Sequence, residues 1–201
     1  FEQSRLTLAE KQARSASVKV VRPFEDGHGS GTYLIMRRRH VVITAAHVVG
    51  DFSTMIIESS EDEQVIGRVI YRDDDSDLAL ILVPELQTRT PANYLPKRSE
   101  RNLIGANITY TGFPGRHELL TIRGHITSIE REMIVSNMFG WFGASGSGVF
   151  DQQGKLLGVV SAIDIGNWYM PIPLNSIVWI APVWNLDNEI VKVRLATEPP
   201  L

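Results

Sequence analysis

The chain has 201 residues, 43% hydrophobic and 21% charged, a balance typical of a folded chain with a sizeable core. Lysine and arginine (20) nearly balance aspartate and glutamate (23), so a net charge of −3 gives no strong field to attract nucleic acid or an anionic membrane. The absence of cysteine excludes disulfides, a thiol nucleophile and thiolate metal ligands, and no apolar run reaches the ~18 residues of a membrane span.

Most of the chain has the pattern of short β-strands. Residues 3–15 combine helix formers with sparse apolar positions, which predicts a short N-terminal helix or arm. About a dozen β-branched runs follow, each bounded by turn residues. They are SVKVVRP, GTYLIM, HVVITAAHVV, STMIIES, QVIGRVIYR, DLALILV, NITYTGF, LLTIRGHITSIER, MIVSN, GVFD, KLLGVVSAI and WYMPIP. Such close spacing favours an all-β barrel or sandwich over a parallel βαβ sheet.

The C-terminal part carries a different pattern. LNSIVWIAPVWN, residues 174–185, is predicted as a short helix with Pro182 near its end. The final ATEPPL is predicted as a loose tail.

Three stretches hold the residue types of a nucleophilic relay. VVITAAHVVG places His47 just after an apolar strand, DDDSDLALILV places Asp77 at the mouth of another, and GASGSGVF places Ser145 in a glycine-rich turn. In such a relay the imidazole takes the hydroxyl proton, and the carboxylate fixes the ring tautomer and stabilises the imidazolium. Each residue alone is common in turns, but their conjunction favours a catalytic role.

TAAHVV, SDLALILV and GASGSGVF, in this order, resemble the three signatures of trypsin-like (chymotrypsin-fold) serine proteases. The resemblance is greatest to the cysteine-free bacterial HtrA-like and glutamyl-endopeptidase-like branches, and with GSGTYLI, TGFPG and LLGVVSA it covers roughly residues 17–180. It implies two six-stranded antiparallel β-barrels with short N- and C-terminal helical segments. The expected division is an arm at 1–16, barrels at 17–95 and 96–185, and a tail at 186–201.

The resemblance assigns the catalytic roles residue by residue. Ser145 matches the serine of Gly-x-Ser-Gly and is expected to be the nucleophile, with His47 as the base and Asp77 orienting it. The amides of Gly143 and Ser145 are expected to form the oxyanion hole. The reaction so implied is hydrolysis of peptide bonds by a serine endopeptidase.

The resemblance also suggests how a polypeptide substrate binds. Three residues of LLGVVSAI are expected to form an edge that pairs with the extended substrate, namely Ser161, Ala162 and Ile163. Residues 138–142 are expected to form a wall of the primary specificity pocket, with Trp141 and Phe142 among its residues and no acid. A small or medium apolar residue is therefore predicted at the cleaved position, rather than Lys or Arg.

One departure from trypsin concerns how the oxyanion turn is held. Trypsin has an aspartate directly before its serine, which pairs with the ammonium group freed by zymogen cleavage. Here Ala144 occupies that position, and Phe1-Glu2 does not resemble the mature trypsin start. Other contacts must therefore hold the turn.

Other kinds of site fit less well. An α/β-hydrolase requires GxSxG and the order Ser, acid, His, and an EF-hand would need a glycine after Asp77. The five histidines lack paired metal-ligand spacing, so no metal site is expected, and the mechanism that the resemblance implies requires no cofactor. A catalytically silent protease-fold protein that binds peptides or acts as a scaffold remains the alternative.

Partners and location are expected by analogy alone. In the trimeric HtrA-like branch similar N-terminal arms pack against a neighbouring subunit, so oligomerisation through the arm is a hypothesis here. The resemblance and the start at Phe1 favour an extracytoplasmic location.

Overall fold

The computed structural model describes residues 5–94, 102–167 and 171–201. Within these ranges twelve strands form two closed antiparallel barrels of six strands each, with few short helices. The fold class predicted from the sequence is confirmed. The expected boundary between the barrels, at residues 95 and 96, lies outside the described residues.

The first barrel closes in the order β1-β2-β3-β6-β5-β4. Its strands are β1 (Ser17–Val21), β2 (His28–Met36), β3 (Arg39–Thr44), β4 (Thr54–Glu58), β5 (Gln64–Asp73) and β6 (Leu78–Leu82). The sequence LALIL of β6 is buried at every position, so the side chains on both faces of this strand are covered by other parts of the protein. The segment after β3 carries the expected base of the relay, and the turn before β6 carries the expected acid.

The second barrel closes in the order β10-β11-β12-β9-β8-β7. Its strands are β7 (Asn107–Gly112), β8 (Leu120–Glu130), β9 (Met133–Ser136), β10 (Gly148–Asp151), β11 (Leu156–Asn167) and β12 (Pro171–Pro182). Tyr110, Ile126, Val149 and Ile180 lie in its core. The loop between β9 and β10 holds the glycine-rich turn with Ser145.

Helix α1 (Leu8–Ala16) confirms the predicted N-terminal helix, although residues 3 and 4 lie outside the described ranges. It begins with a capping box between Thr7 and Glu10 and buries a face of alanines against the second barrel. Glu10 is 3% exposed in its side chain and forms an ion pair with Arg123 on β8. The helix that precedes the first barrel therefore packs on the second.

Helix α3 (Asn188–Thr197) follows the second barrel in the chain and packs on the first. Val191 and Leu195 bury against the first barrel, and the Arg39 guanidinium donates to the carbonyl oxygens of Leu195 and Glu198 at the end of the helix. Arg68 on β5 also pairs with the Glu198 carboxylate at 3.2 Å. Each terminal helix thus joins the two barrels and stabilises the cleft between them.

The C-terminal prediction is wrong in its placement. Residues 174–182 of LNSIVWIAPVWN belong to β12, and residues 183–185 form one 3₁₀ turn. The stretch is extended because Val178 and Ile180 pair with both β11 and β9, which overrides its helical reading. The helix lies within the expected tail at 186–201, where the Asp187 carboxylate caps the amides of Glu189 and Ile190.

Candidate active site

His47 lies just after an apolar strand, as predicted, on a single helical turn that ends the run HVVITAAHVV. Strand β3 ends at Thr44, and α2 (Ala46–Val49) follows. Its other three residues are buried while the His47 side chain is 50% exposed, so the imidazole is directed out of the core. The Arg22 guanidinium donates to the carbonyl oxygens of His47 and Val48, which fixes the C-terminal end of this turn.

Asp77 contacts His47 through both side chain and backbone. Its Oδ1 accepts the His47 N–H at 3.0 Å, and Nδ1 of the ring lies 3.0 Å from both carboxylate oxygens. Because an ionised carboxylate only accepts hydrogen bonds, Nδ1 carries the proton and the neutral ring keeps Nε2 as an acceptor. The carboxylate thereby selects the tautomer that a general base requires.

The environment of Asp77 keeps its carboxylate ionised. The side chain is 18% exposed, and its Oδ2 accepts a 2.5 Å hydrogen bond from the Ser161 hydroxyl. Burial raises the pKa of Asp77, but the hydrogen bonds and charge of His47, together with the Ser161 bond, hold it below its ordinary value. Ser161 therefore stabilises the ionised Asp77 carboxylate and also lies on the β11 edge.

Ser145 lies in a turn whose two neighbouring glycines are sterically required. Gly143 has φ +92° and Gly146 φ +87°. A Cβ at Gly146 would lie 2.1 Å from the Ser30 carbonyl oxygen, and one at Gly143 would lie 2.4 Å from that of Phe113. Side chains fit at neither position, so the glycines allow the turn to pack closely against β2 of the first barrel and against the loop that follows β7 in the second.

Two amide N–H groups of this turn have no acceptor within the described ranges, those of Gly143 and Ser145. The carbonyl preceding Gly143 accepts from the Gly115 N–H at 2.6 Å, and the carbonyl preceding Ser145 accepts from the Ser147 N–H at 3.0 Å. In a trans peptide the C=O and N–H point in opposite directions. Each of the two free N–H groups therefore points away from the hydrogen bond made by the carbonyl of its own peptide unit.

The Ser145 hydroxyl is directed at the second barrel. Its Oγ donates a long hydrogen bond, 3.5 Å, to the Ser161 carbonyl, and none joins it to His47 in the part of the chain that the structure describes. Both residues nevertheless line one cavity of about 330 Å³, together with His28, Phe142 and Gly143. The three predicted relay residues thus meet at the interface of the barrels, with the serine rotated off the base.

The predicted substrate edge lies on β11. The strand pairs with β10 up to Val159, and the Val160 N–H donates to the Ser147 carbonyl. From Ser161 onward no described strand pairs with this edge, while β12 continues along the other. Ala162 is exposed and Ile163 half-buried, and a shallow cavity of about 490 Å³ runs along residues 161–165.

The stretch 138–142 approaches this edge closely. A Cβ at Gly140 would lie 2.7 Å from methyl carbons of both Ile163 and Val178, so little space separates these segments. Trp141 and Phe142 are 42% and 73% exposed and meet edge to face, with ring centroids 5.7 Å apart. Of this aromatic pair, Phe142 lines the cavity that holds His47 and Ser145.

His28 and Ser30 are site residues that sequence reasoning missed. Nε2 of His28 lies 2.7 Å from the Phe113 carbonyl, and the Ser30 hydroxyl bonds to the Gly143 carbonyl at 2.7 Å. The only signal in the sequence is that both lie in the glycine-flanked run GHGSG at the start of β2.

Across residues 5–94, 102–167 and 171–201, no group of three or more His, Asp or Glu side chains could hold a metal ion. No helix in the same residues is long and apolar enough to span a membrane.

Comparison with known proteins identifies a family that the chain matches. The family model described as "Trypsin-like peptidase domain" matches residues 29–159, more than half of the chain. Proteins named "Serine protease HtrA-like" from Staphylococcus aureus strains bovine RF122 / ET3-1 and USA300 are each 26% identical over 196 aligned residues. The alignments cover 86% of this chain and 25% of each relative, so the chain spans about a quarter of their length.

Solved structures share the fold. An inactive mutant form of Rv3671c from M. tuberculosis H37Rv superposes with a TM-score of 0.73 at 19% identity, covering 96% of this chain and 93% of the other. The serine endoprotease from Yersinia pestis also gives 0.73 at 19% identity, covering 94% and 66%. With the extent of the family match, these findings establish that the chain belongs to the trypsin-like peptidase domain family, a family of serine proteases.

Proposed function

We propose that the chain is a serine endopeptidase that hydrolyses peptide bonds through an acyl-enzyme, with His47, Asp77 and Ser145 as its catalytic residues. One observation carries the proposal. The Asp77 carboxylate holds the proton on Nδ1 of His47, which leaves Nε2 a free acceptor in the same cavity as Ser145 and two unpaired amides.

The reaction begins with rotation of the Ser145 hydroxyl from the Ser161 carbonyl toward Nε2 of His47. Catalytic hydrogen bonds commonly shorten only when substrate is bound, so the present rotamer is compatible with this step. Nε2 takes the hydroxyl proton as Oγ attacks the substrate carbonyl, and the imidazolium then protonates the leaving amine. Water hydrolyses the acyl-enzyme by the same proton transfers.

The amides of Gly143 and Ser145 are proposed to bind the oxyanion that forms in each step. The carbonyl oxygens of the same two peptide units already accept hydrogen bonds, which hold the units in place. Little reorganisation is therefore needed as negative charge develops on the substrate. A donor of this kind typically contributes roughly 3 kcal/mol to transition-state stabilisation.

The substrate is proposed to extend along the free edge of β11, at Ser161, Ala162 and Ile163, and to pair with its backbone. The primary pocket is proposed to take a small or medium apolar residue. Support comes from Ile163 and Val178, which crowd Gly140, and from the absence of an acid in the stretch 138–142.

Labelling with a fluorophosphonate tests the function. We expect a covalent adduct on Ser145 and cleavage of an unstructured protein substrate, with both lost in Ser145→Ala and His47→Ala. Ser147→Ala is the matched control, because this buried serine lies two residues away on the same loop. A folded wild-type chain that neither labels nor cleaves at any pH from 6 to 9 would favour the peptide-binding alternative.

Association through the N-terminal arm stays a prediction. In this chain the Ala9, Ala13 and Ala16 side chains of α1 are already buried. Analytical ultracentrifugation with and without residues 1–15 tests it, since loss of an oligomer on truncation would support the arm as its contact.

A further inference from the structure

The oxyanion turn is held without the charged pair that the trypsin resemblance would supply. Ala144 is 1% exposed and carries no charge. We propose that the Ser30 hydroxyl on β2 is the positioning group that holds this turn in its competent conformation. This proposal rests on the proposed function.

Ser30 is completely buried and contacts the turn at two points. Its Oγ–H donates to the Gly143 carbonyl at 2.7 Å, and its backbone N–H donates to the Ser145 carbonyl at 2.7 Å. The same Oγ accepts the Phe113 N–H at 3.0 Å. One hydroxyl of the first barrel therefore joins two separate loops of the second.

These bonds complete the restraint of consecutive peptide units in the turn. The peptide unit between residues 142 and 143 is held by the Gly115 N–H, which donates to its carbonyl. The unit between residues 144 and 145 is held in the same way by the Ser147 N–H. The unit between them is held by Ser30 at the Gly143 carbonyl and by the bond from the Ala144 N–H to the Trp141 carbonyl, 3.0 Å.

The hydroxyl also supports the loop that holds the first free amide. Gly115 lies two residues beyond Phe113, whose N–H bonds to Ser30, and the Gly115 N–H bonds to the carbonyl of residue 142. Without the hydroxyl, the Gly143 carbonyl and the Phe113 N–H would both lose their partner in a buried site. Glycine at 143 offers little steric resistance to rotation, so its N–H would turn away from the oxyanion position.

The space around Oγ leaves little room for a substitute donor. A Cβ at Gly112 would lie 2.8 Å from this atom and 1.9 Å from Oγ of Ser147. A water molecule could replace the lost hydroxyl only in a cavity large enough to hold it. The volume vacated by one oxygen atom is too small. Ser30→Ala therefore leaves the two groups unpaired.

The test compares Ser30→Ala with Ser17→Ala. Ser17 is 1% exposed, and its hydroxyl also bridges the chain in two places, to the carbonyls of Ala13 and Thr111, without reaching the oxyanion turn. We expect kcat to fall about tenfold to hundredfold in Ser30→Ala with KM changed less than about twofold, because the lost interaction acts on the transition state. Ser17→Ala is expected to lower the melting temperature similarly and to keep the wild-type kcat.

A second measurement separates positioning from a general structural role. The affinity of a peptide boronic acid, which forms a tetrahedral adduct, should fall in Ser30→Ala by about the same factor as kcat. Ser30→Cys retains a weak donor and acceptor, so it should recover part of kcat and serves as the variant to measure where Ser30→Ala does not fold.

Wild-type kcat in folded Ser30→Ala or Ser30→Cys would overturn the positioning role. Equal losses of kcat in Ser30→Ala and Ser17→Ala would overturn it too. In either case an active wild type keeps the proposed function, whereas failure of the wild type to label or cleave refutes that function itself.

Discussion

Gly143→Ala is the substitution for which the structure predicts the sharpest separation of catalysis from stability. At φ +92° an alanine is strained by roughly 1–2 kcal/mol. Its Cβ would also lie 2.4 Å from the Phe113 carbonyl oxygen and 2.8 Å from Nε2 of His28. The first of these atoms belongs to the backbone, so the turn itself must shift.

The shift displaces the Gly143 N–H, one of the two proposed oxyanion donors. Loss of such a donor lowers kcat by about 10²- to 10³-fold, roughly 3–4 kcal/mol. Substrate binding along β11 does not use this amide, so KM should change little. Steady-state kinetics on a fluorogenic peptide chosen by library profiling measures both constants.

Gly105→Ala is the matched control. Gly105 has φ +89°, but no atom lies within 4 Å of the Cβ position, so the variant bears the backbone strain without the collision. We expect it to melt at a lower temperature and to keep the wild-type kcat. Gly143→Ala with a kcat within threefold of wild type would refute the reasoning, as would an equal loss of kcat in Gly105→Ala.

Three further predictions follow from the site and from the α1 contact. Asp77→Asn keeps a residue that tolerates the observed φ of +51° but presents an amide to Nδ1 of His47. We expect kcat, measured at pH 8, to fall about 10³- to 10⁴-fold. A loss of less than tenfold would contradict this expectation. Ser161→Ala removes the 2.5 Å bond to the Asp77 carboxylate and should lower kcat about tenfold, with little change in melting temperature, whereas an unchanged kcat would argue against that bond's role. Glu10→Gln breaks the ion pair with Arg123, whose side chain is 64% exposed, and should lower the free energy of unfolding by about 0.5–1 kcal/mol in urea titrations at pH 7. Because hydrogen bonding to Arg123 lowers the pKa of Glu10 to about 2, this contribution is fully present above its ordinary value of 4.5 and is lost as pH falls toward 2. A wild-type advantage that stays constant down to pH 2.5 would contradict this assignment.

The strands could be predicted because their signals are local. β-branched runs bounded by turn residues identify the strands, while their division into two barrels followed from the family resemblance. The uniformly apolar LALIL marks a strand that is buried on both faces. The C-terminal helix is misplaced in the prediction because tertiary contacts decide the structure there. Residues 174–182 become extended through pairing on two sides, and α3 has only Val191 and Leu195 buried, too few to give a clear helical period.

The candidate site could likewise be predicted only in part from the sequence. The motifs predicted His47, Asp77 and Ser145. In the structure His47 and Ser145 line one cavity, and the Asp77 carboxylate lies against the His47 ring. The support of the turn could not be predicted, because the Ser30 bond to Gly143 joins residues 113 positions apart. Only the closure of β2 against the glycine-rich loop reveals it.

The most direct test of the account is a crystal structure of the chain after reaction with a peptide boronic acid. We predict a bond between boron and Oγ of Ser145, with one boronate oxygen about 2.7–3.1 Å from the amide nitrogens of both Gly143 and Ser145. An adduct on another residue, or a boronate oxygen out of reach of both amides, would contradict the central claim.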